Sequence, residues 1–105
     1  MGGQIVRAWS GVTTKDDAEA YLDHLRSETF PHMRTLDGFC GVEVFRRDLG
    51  DDEVRFVVQS RWKSMDAIRA FAGDTIDVAV VPAAAQAVLR RYDDGVEHYT
   101  VAVDG

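Results

Sequence analysis

The apolar residues of this chain follow two periods, one typical of strands and one typical of helices. Segments 4–10, 39–47, 54–62 and 96–103 are rich in Val and aromatic residues, which predicts four strands. Between them, apolar residues recur at three- and four-residue spacing, which predicts helices. The acidic run 48–53 makes the two middle strands a hairpin. The order of elements is therefore βα–ββ–αβ.

The first helix is predicted to begin after Thr14, and Gly11 is expected to end the first strand. Five of its residues share one stripe at three- and four-residue spacing: Ala18, Tyr21, Leu22, Leu25 and Thr29. Pro31 is expected to interrupt this helix, since proline cannot donate to the preceding turn. A short segment should continue at an angle as far as Gly38.

The second helical region is predicted in two parts. Ser64 is a suitable N-cap for a helix that Gly73 would end in a left-handed conformation. A final helix should begin near Pro82, which is tolerated in a first turn, and run to Tyr92.

These elements predict a ferredoxin-like α+β fold, the split βαβ arrangement, with a four-stranded antiparallel sheet covered by helices on one face. A monomer would need a polar reverse face. In the second strand, however, Phe39 and Phe45 are expected on one face and Val42 and Val44 on the other. Burying roughly 600 Å² of apolar surface per subunit would supply about 15 kcal/mol before the entropy of association. We therefore expect a homodimer with the sheets face to face.

Composition narrows the class of protein. With 105 residues the chain has the size of one domain, so residues 1–105 are expected to form a single unit. A net charge of −6 disfavours nucleic acid and anionic membranes as partners. The single cysteine, Cys40, excludes an intrachain disulfide, and no cysteine and histidine cluster predicts a metal. Without a leader pattern or a bilayer-length apolar run, a cytoplasmic location is expected.

A family resemblance begins at Trp62. The chain continues from this tryptophan with K-S-M-D-A-I at 63–68 and F-A-G at 71–73. This pattern resembles the W-x-S-x-x-A-I element of the antibiotic biosynthesis monooxygenase family. The segment Y-D-D-G-V-E-H-Y at 92–99 is similar to the close of many members. Together with the strand order, the resemblance covers nearly the whole chain.

The resemblance implies a dimeric α+β barrel with a pocket between helices and sheet in each subunit. Relatives include oxygenases that use no metal or flavin, in which a deprotonated substrate, often a phenolic polycycle, reduces O2 directly. It therefore implies a cofactor-independent monooxygenase for a small aromatic or polyketide-like substrate, with molecular oxygen as the second reactant. Such a site needs an apolar cavity, a base and a donor for the developing oxyanion.

Two family patterns differ from this chain. The oxygenase pattern has an asparagine where this chain has Val58. The haem-degrading pattern has a histidine on the second helix and an asparagine on the first strand. Here that helix has Ala72 and no histidine, and the first strand has no asparagine. The missing histidine and the missing asparagine argue against haem degradation.

Two residues are predicted to be catalytic. Trp62 matches the family tryptophan, whose indole N–H is a suitable oxyanion donor, although a large aromatic at a strand end is also typical of a core. His98 is the predicted base because an unperturbed imidazole pKa of about 6.5 suits proton abstraction. The alternative for His98 is a structural hydrogen bond near the dimer interface.

The remaining predicted site residues form the pocket wall. Val58, Phe71 and Leu89 are expected to shape the cavity, and Tyr99 is expected to assist as a donor or to fill the core. His32 follows a helix break and is expected to lie either at the pocket rim or in solvent.

Arg7 and Arg61 alternate with apolar strand residues, so they are expected either to face the dimer barrel or to pair with Glu43 or Glu97.

Two other functions stay open. One is a non-catalytic dimeric module that binds a small apolar metabolite or a partner protein. The other is a lyase or isomerase that uses the same pocket for proton transfer without O2. A cavity beside Trp62 with His98 pointing into it would favour catalysis.

Overall fold

The computed structural model describes residues 3–105 and consists of an antiparallel sheet with helices on one side. In chain order, its elements are β1 (Ile5–Thr14), α1 (Ala18–His24), a π-helical turn (Leu25–Thr29), α2 (Phe30–Arg34), β2 (Phe39–Gly50), β3 (Glu53–Trp62), α3 (Met65–Ala72), α4 (Ala83–Gln86), β4 (Arg91–Tyr92) and β5 (Glu97–Thr100). No helix in this described range is long and apolar enough to cross a membrane.

The sheet has the order β2-β3-β1, with β4 and β5 both paired to the free edge of β1. β4 pairs with Gly11 and Val12, and β5 pairs with the stretch from Ile5 to Ala8. The two short strands therefore share the position predicted for one fourth strand. The predicted ferredoxin-like α+β fold is confirmed, and its assembly into a dimeric barrel stays a prediction.

All four helices pack against the same face of the sheet. One core cluster joins α1 and α4 to β3 through Tyr21, Ala85 and Phe56. A second joins α2 and α3 to the end of β3 around Trp62, which has no exposed surface. On the reverse face, the alternate β3 residues Arg55, Gln59 and Arg61 are exposed. The helices therefore leave the reverse of the sheet uncovered within one chain.

The predicted end of β1 at Gly11 is wrong, because the strand continues to Thr14 and pairs with β3 throughout. A β-carbon at Gly11 would lie 2.7 Å from the Trp9 ring. This glycine therefore gives the tryptophan space to fold over the sheet and does not turn the chain.

The predicted interruption at Pro31 is also wrong. The backbone N–H of Phe30 donates to the carbonyl of Leu25, five residues earlier, so the helix continues through a π-helical turn. Pro31 then occupies the start of α2, where a missing N–H is tolerated. The wider turn carries the chain past a residue that would end a regular helix.

The predicted final helix is too long. It ends at Gln86, and the backbone N–H of Arg90 donates to the carbonyl of Val12 on β1 at 2.8 Å. The last two residues of the predicted helix, Arg91 and Tyr92, therefore join the sheet as β4. The last strand also ends earlier than predicted, at Thr100.

A bulge in β2 corrects the predicted faces of that strand. Phe39 lies opposite Trp62, but Gly41 lies opposite Arg61, so Cys40 is an additional residue in β2. One extra residue reverses the alternation that follows. Phe39 therefore packs into the helix-covered core, as Val44 does, while Phe45 faces the other way.

The helix α3 agrees with its sequence signals. Ser64 accepts a hydrogen bond from the backbone N–H of Ala67 at 3.2 Å, and Gly73 ends the helix with a φ of 80°. The helix fixes Phe71 above the sheet, and this places an aromatic ring at the candidate site.

Candidate functional site

A small cavity of about 60 Å³ lies between the sheet and the helices. Apolar side chains supply most of its lining, among them Trp9, Leu25, Met33, Val58, Phe71 and Val81. Arg7 and Ser60 are polar exceptions on the sheet side. An apolar cavity with few polar groups is the usual form of a ligand site, although this volume is small for a whole ligand.

A wider groove of about 640 Å³ adjoins the cavity, between α1, the π-helical turn and the segment that leads into α4. The cavity and the groove share His24, Thr29, Phe71, Val80 and Pro82 in their linings. Turns of π-helix are often found at functional positions. Here the π-helical turn lies where the cavity meets the groove.

Arg7 is a buried cation at the base of the cavity, with 5% of its surface exposed. Its guanidinium donates to the backbone carbonyls of Ile76 and Val78, the latter at 3.0 Å. It also lies 5.9 Å from the centre of the Phe71 ring, within range of a cation–π contact. Burial lowers the pKa of Arg7, and the nearby Asp77 carboxylate opposes that effect.

The His98 ring lies beside Arg7 on the helix-covered face, with its Nε2 atom 3.1 Å from the guanidinium. A guanidinium can only donate, so Nε2 must be the acceptor and the ring proton must be on Nδ1. That nitrogen lies 3.4 Å from a carboxylate oxygen of Asp77. Burial and then the charge of Arg7 lower the pKa of His98, and Asp77 opposes both.

Ser60 and Trp62 form a hydrogen-bonded pair on β3. The indole N–H of Trp62 donates to the Ser60 hydroxyl oxygen at 2.9 Å. Trp62 is fully buried against Phe39 and Phe71, whereas Ser60 contributes to the cavity lining. Ser60 lies directly across the strand pair from Arg7.

Tyr21 brings a phenol to the cavity from α1. Its ring stacks on Phe56 with the centroids 5.5 Å apart. Burial raises the pKa of the Tyr21 phenol far above its ordinary value. Tyr21 therefore stays a neutral hydrogen-bond donor at physiological pH.

The predicted site residues fall in different places. Val58 and Phe71 line the cavity, and His32 lines the groove with its ring 6.0 Å from that of Phe71. Leu89 packs against the core beside Gly11. Tyr99 pairs with Val6 on the reverse face and is 51% exposed.

The two predicted catalytic residues, Trp62 and His98, stand behind Ser60 and Arg7 respectively, and neither contributes to the cavity lining. Their catalytic roles stay predictions.

Sequence reasoning missed Arg7 and Ser60 as site residues. Arg7 was expected in the dimer barrel or in an ion pair with Glu43 or Glu97, and among residues 3–105 it forms neither ion pair. The available signal was a serine two residues before Trp62 on the same strand face.

The part of the chain that the structure describes places no cluster of three or more metal-ligating side chains together.

Comparison with known proteins decides the family. A model of the antibiotic biosynthesis monooxygenase family matches residues 12–75, more than half of the chain. The chain belongs to that family. Among proteins of curated function, none matches the sequence.

Solved structures share the fold of this antibiotic biosynthesis monooxygenase family member. A conserved protein from Methanosarcina mazei Go1 has a TM-score of 0.68 at 11% identity over 93% of this chain and 92% of that one. A heme-degrading protein from Mycobacterium tuberculosis has a TM-score of 0.62 at 17% identity over 100% and 98%. SnoaB, a cofactor-independent oxygenase from Streptomyces nogalater, has a TM-score of 0.58 at 19% identity over 98% and 95%.

Proposed function

We propose that this family member is an oxygenase that uses neither metal nor flavin and acts on a small aromatic compound with an acidic hydroxyl group. The observation that carries the proposal is the buried Arg7 at the base of an otherwise largely apolar cavity. A cation in such surroundings favours the ionised form of a bound phenol or enol and lowers its pKa. The similarity to the fold of a cofactor-independent oxygenase supports the same reaction class.

The anion is the reactive form of such a substrate, because it can pass electrons to O2. Arg7 has no acceptor atom, so the substrate proton must leave to another group. His98, whose Nε2 lies 3.1 Å from Arg7, is the base that we propose, once a ligand oxygen takes its place as a partner of the guanidinium. Its lowered pKa keeps the imidazole neutral and able to accept a proton.

The net reaction converts a CH2 group between aromatic rings into a carbonyl. One atom of O2 enters that carbonyl, and the other leaves as water with the two hydrogens of the CH2 group. A polycyclic substrate is larger than a cavity of about 60 Å³. We therefore propose that its rings lie in the adjoining groove and that its acidic oxygen enters the cavity beside Arg7.

An oxygen electrode tests this function with anthrone as the substrate, since the enol tautomer of anthrone has the acidic hydroxyl group. The wild-type protein should consume one O2 per anthrone faster than the protein-free buffer does. Arg7→Met should lower kcat/KM by roughly a hundredfold, the effect of losing a preorganised charge, and Arg7→Lys should retain part of the rate. Arg61→Met is the matched control, since Arg61 lies on the reverse face. Oxygen uptake no faster than in buffer would refute the proposal for this substrate class.

Binding without catalysis is the second candidate, and two observations favour it. Val58 offers no hydrogen-bond donor, and His98, whose ring nitrogens already have partners, does not line the cavity. A protein that binds anthrone-like rings without O2 uptake would support a binding module. Deuterium exchange at the CH2 group without O2 uptake would instead support a proton-transfer enzyme.

A further inference from the structure

We infer that Ser60 is the hydrogen-bond donor that meets the anionic oxygen of the ligand, and that Trp62 acts through it as a positioning residue. This inference rests on the proposed function, because it assigns the contact that the acidic oxygen makes inside the cavity. It gives the donor role to a serine hydroxyl where the sequence predicted the tryptophan indole.

The burial of the two side chains supports this division of roles. Trp62 has no exposed surface and does not line the cavity. Ser60 does line it, and only 2% of its surface is exposed. A ligand in the cavity therefore meets the hydroxyl, and the indole lies behind it.

The direction of the hydrogen bond decides which group has a proton to offer. The indole N–H can only donate, so the Ser60 oxygen must accept it, at 2.9 Å. The hydroxyl hydrogen of Ser60 is then left to donate, and within residues 3–105 no side chain or backbone group accepts it. An O–H group that accepts a hydrogen bond is a stronger donor, because linked hydrogen bonds polarise one another.

Arg7 supplies the charge for the same oxygen. Ser60 and Arg7 are direct cross-strand partners, so their side chains leave the sheet on the same face. Three of the five guanidinium N–H groups are used by Ile76, Val78 and His98. Two have no partner within residues 3–105, and the N–H group that donates to His98 becomes available as well when a ligand oxygen replaces the imidazole, as proposed above.

One hydroxyl donor and one adjacent cation suit a single anionic oxygen, as in a phenolate or enolate. A cavity of about 60 Å³ accommodates such an oxygen with the edge of its ring. The phenolate or enolate form is therefore the ligand class that we assign to the pair.

Binding of p-nitrophenol tests the inference, because its phenolate is coloured and no turnover is needed. Affinity is measured by spectrophotometric titration at a pH at which the free probe is ionised, and nitrobenzene serves as the uncharged counterpart. Ser60→Ala should weaken phenolate binding by roughly tenfold to a hundredfold, the usual effect of losing a hydrogen bond to a charged group. It should leave nitrobenzene binding unchanged and raise the apparent pKa of the bound phenol.

Two further variants distinguish the role of the Ser60 hydroxyl from that of the Trp62 indole. Ser60→Thr keeps a hydroxyl and should retain most of the phenolate affinity. Trp62→Phe removes the indole N–H and should weaken phenolate binding about fivefold, the usual effect of one neutral hydrogen bond. Thr35→Val is the control, since the Thr35 hydroxyl is exposed, donates to the backbone carbonyl of His32 and does not line the cavity.

The inference is overturned if Ser60→Ala binds phenolate as tightly as the wild type, if it loses phenolate and nitrobenzene equally, or if the wild type binds no phenolate. Failure of the proposed function has a different signature. In that case phenolate binding would depend on Ser60 while anthrone caused no O2 uptake.

Discussion

Arg7 and His98 stabilise each other inside the helix-covered layer. A buried cation is costly unless its N–H groups find acceptors, and the guanidinium finds two carbonyls and a neutral imidazole. As long as the imidazole is the acceptor for Arg7 it stays neutral, since a protonated ring has no acceptor atom for Arg7 and would place a second positive charge beside it. Among residues 3–105, Asp77 is the one acidic side chain within ion-pair distance of this ring, with a carboxylate oxygen 3.4 Å from Nδ1.

The lowered pKa of His98 makes folding stability depend on pH. The unfolded imidazole binds a proton below about pH 6.5, where the folded one is still neutral. The contribution of neutral His98 to the free energy of unfolding is therefore complete above about pH 6.5. It is lost as the pH falls from there through the pKa of the folded imidazole. Over this range the free energy of unfolding changes by at most about 1.4 kcal/mol per pH unit. Urea unfolding of the wild type at several pH values from about 5 to 8 measures this loss.

The variant His98→Gln isolates this contribution. Glutamine keeps a neutral oxygen that can accept from Arg7, and it does not titrate. Its stability should therefore fall less than that of the wild type over the same pH range. Identical curves for the two proteins would show that His98 does not titrate differently on folding.

At the scale of elements, the junction between α2 and β2 determines how closely α3 approaches the sheet. Gly38 occupies this junction with a φ of 87°, and its carbonyl accepts from the backbone N–H of Lys63 at 2.8 Å. A β-carbon at this position would lie 2.6 Å from the β-carbon of Ala67 on α3. The glycine therefore meets both a backbone and a packing requirement.

Gly38→Ala should destabilise the protein by about 2–4 kcal/mol, combining left-handed strain with overpacking. Gly50→Ala is the matched control, since Gly50 has a φ of 85° but nothing within 4 Å of an added β-carbon. That variant should lose only about 1 kcal/mol, from backbone strain alone. Urea unfolding compares the two, and equal losses would rule out the contact with Ala67.

The elements that sequence reasoning placed well are those with local signals. The hairpin of β2 and β3 and the capped helix α3 follow from alternation, turn residues and the Ser64 cap. The segments that were predicted wrongly are determined by contacts in the tertiary structure. Gly11 stays in β1, where it pairs with Phe56 and leaves space for the Trp9 ring. Residues 91–92 leave the predicted helix to pair with β1.

The candidate site was less predictable than the fold for the same reason. Alternation along β3 places Phe56, Val58 and Trp62 on one face, and the structure shows that this is the face that the helices cover. The partners of Arg7 come from residues 69 to 91 positions away in sequence. No local pattern indicates such contacts, so the role of this arginine emerges only from the tertiary structure.

No segment of residues 3–105 covers the reverse face of the sheet. Phe45 is 46% exposed and Tyr99 is 51% exposed on this face. Val57 lies near its centre, with Ser10 on one neighbouring strand and Phe45 on the other. These side chains lie among the exposed Arg55, Gln59 and Arg61. Exposed aromatic rings beside arginines favour association with a second copy, because both residue types are enriched at protein interfaces.

We predict a homodimer in which two such faces pack together, and Val57→Glu should convert it to monomers. The substitution would place a carboxylate at the centre of the interface, opposite its own copy, and burying an unpaired charge costs several kcal/mol. Ala70→Glu is the matched control, since Ala70 is exposed on α3 in the helix layer. Sedimentation velocity at micromolar concentration should give a dimer for the wild type and the control, and a folded monomer for Val57→Glu. A monomeric wild type would contradict the packing of two sheets, and a dimeric Val57→Glu variant would move the interface away from this face.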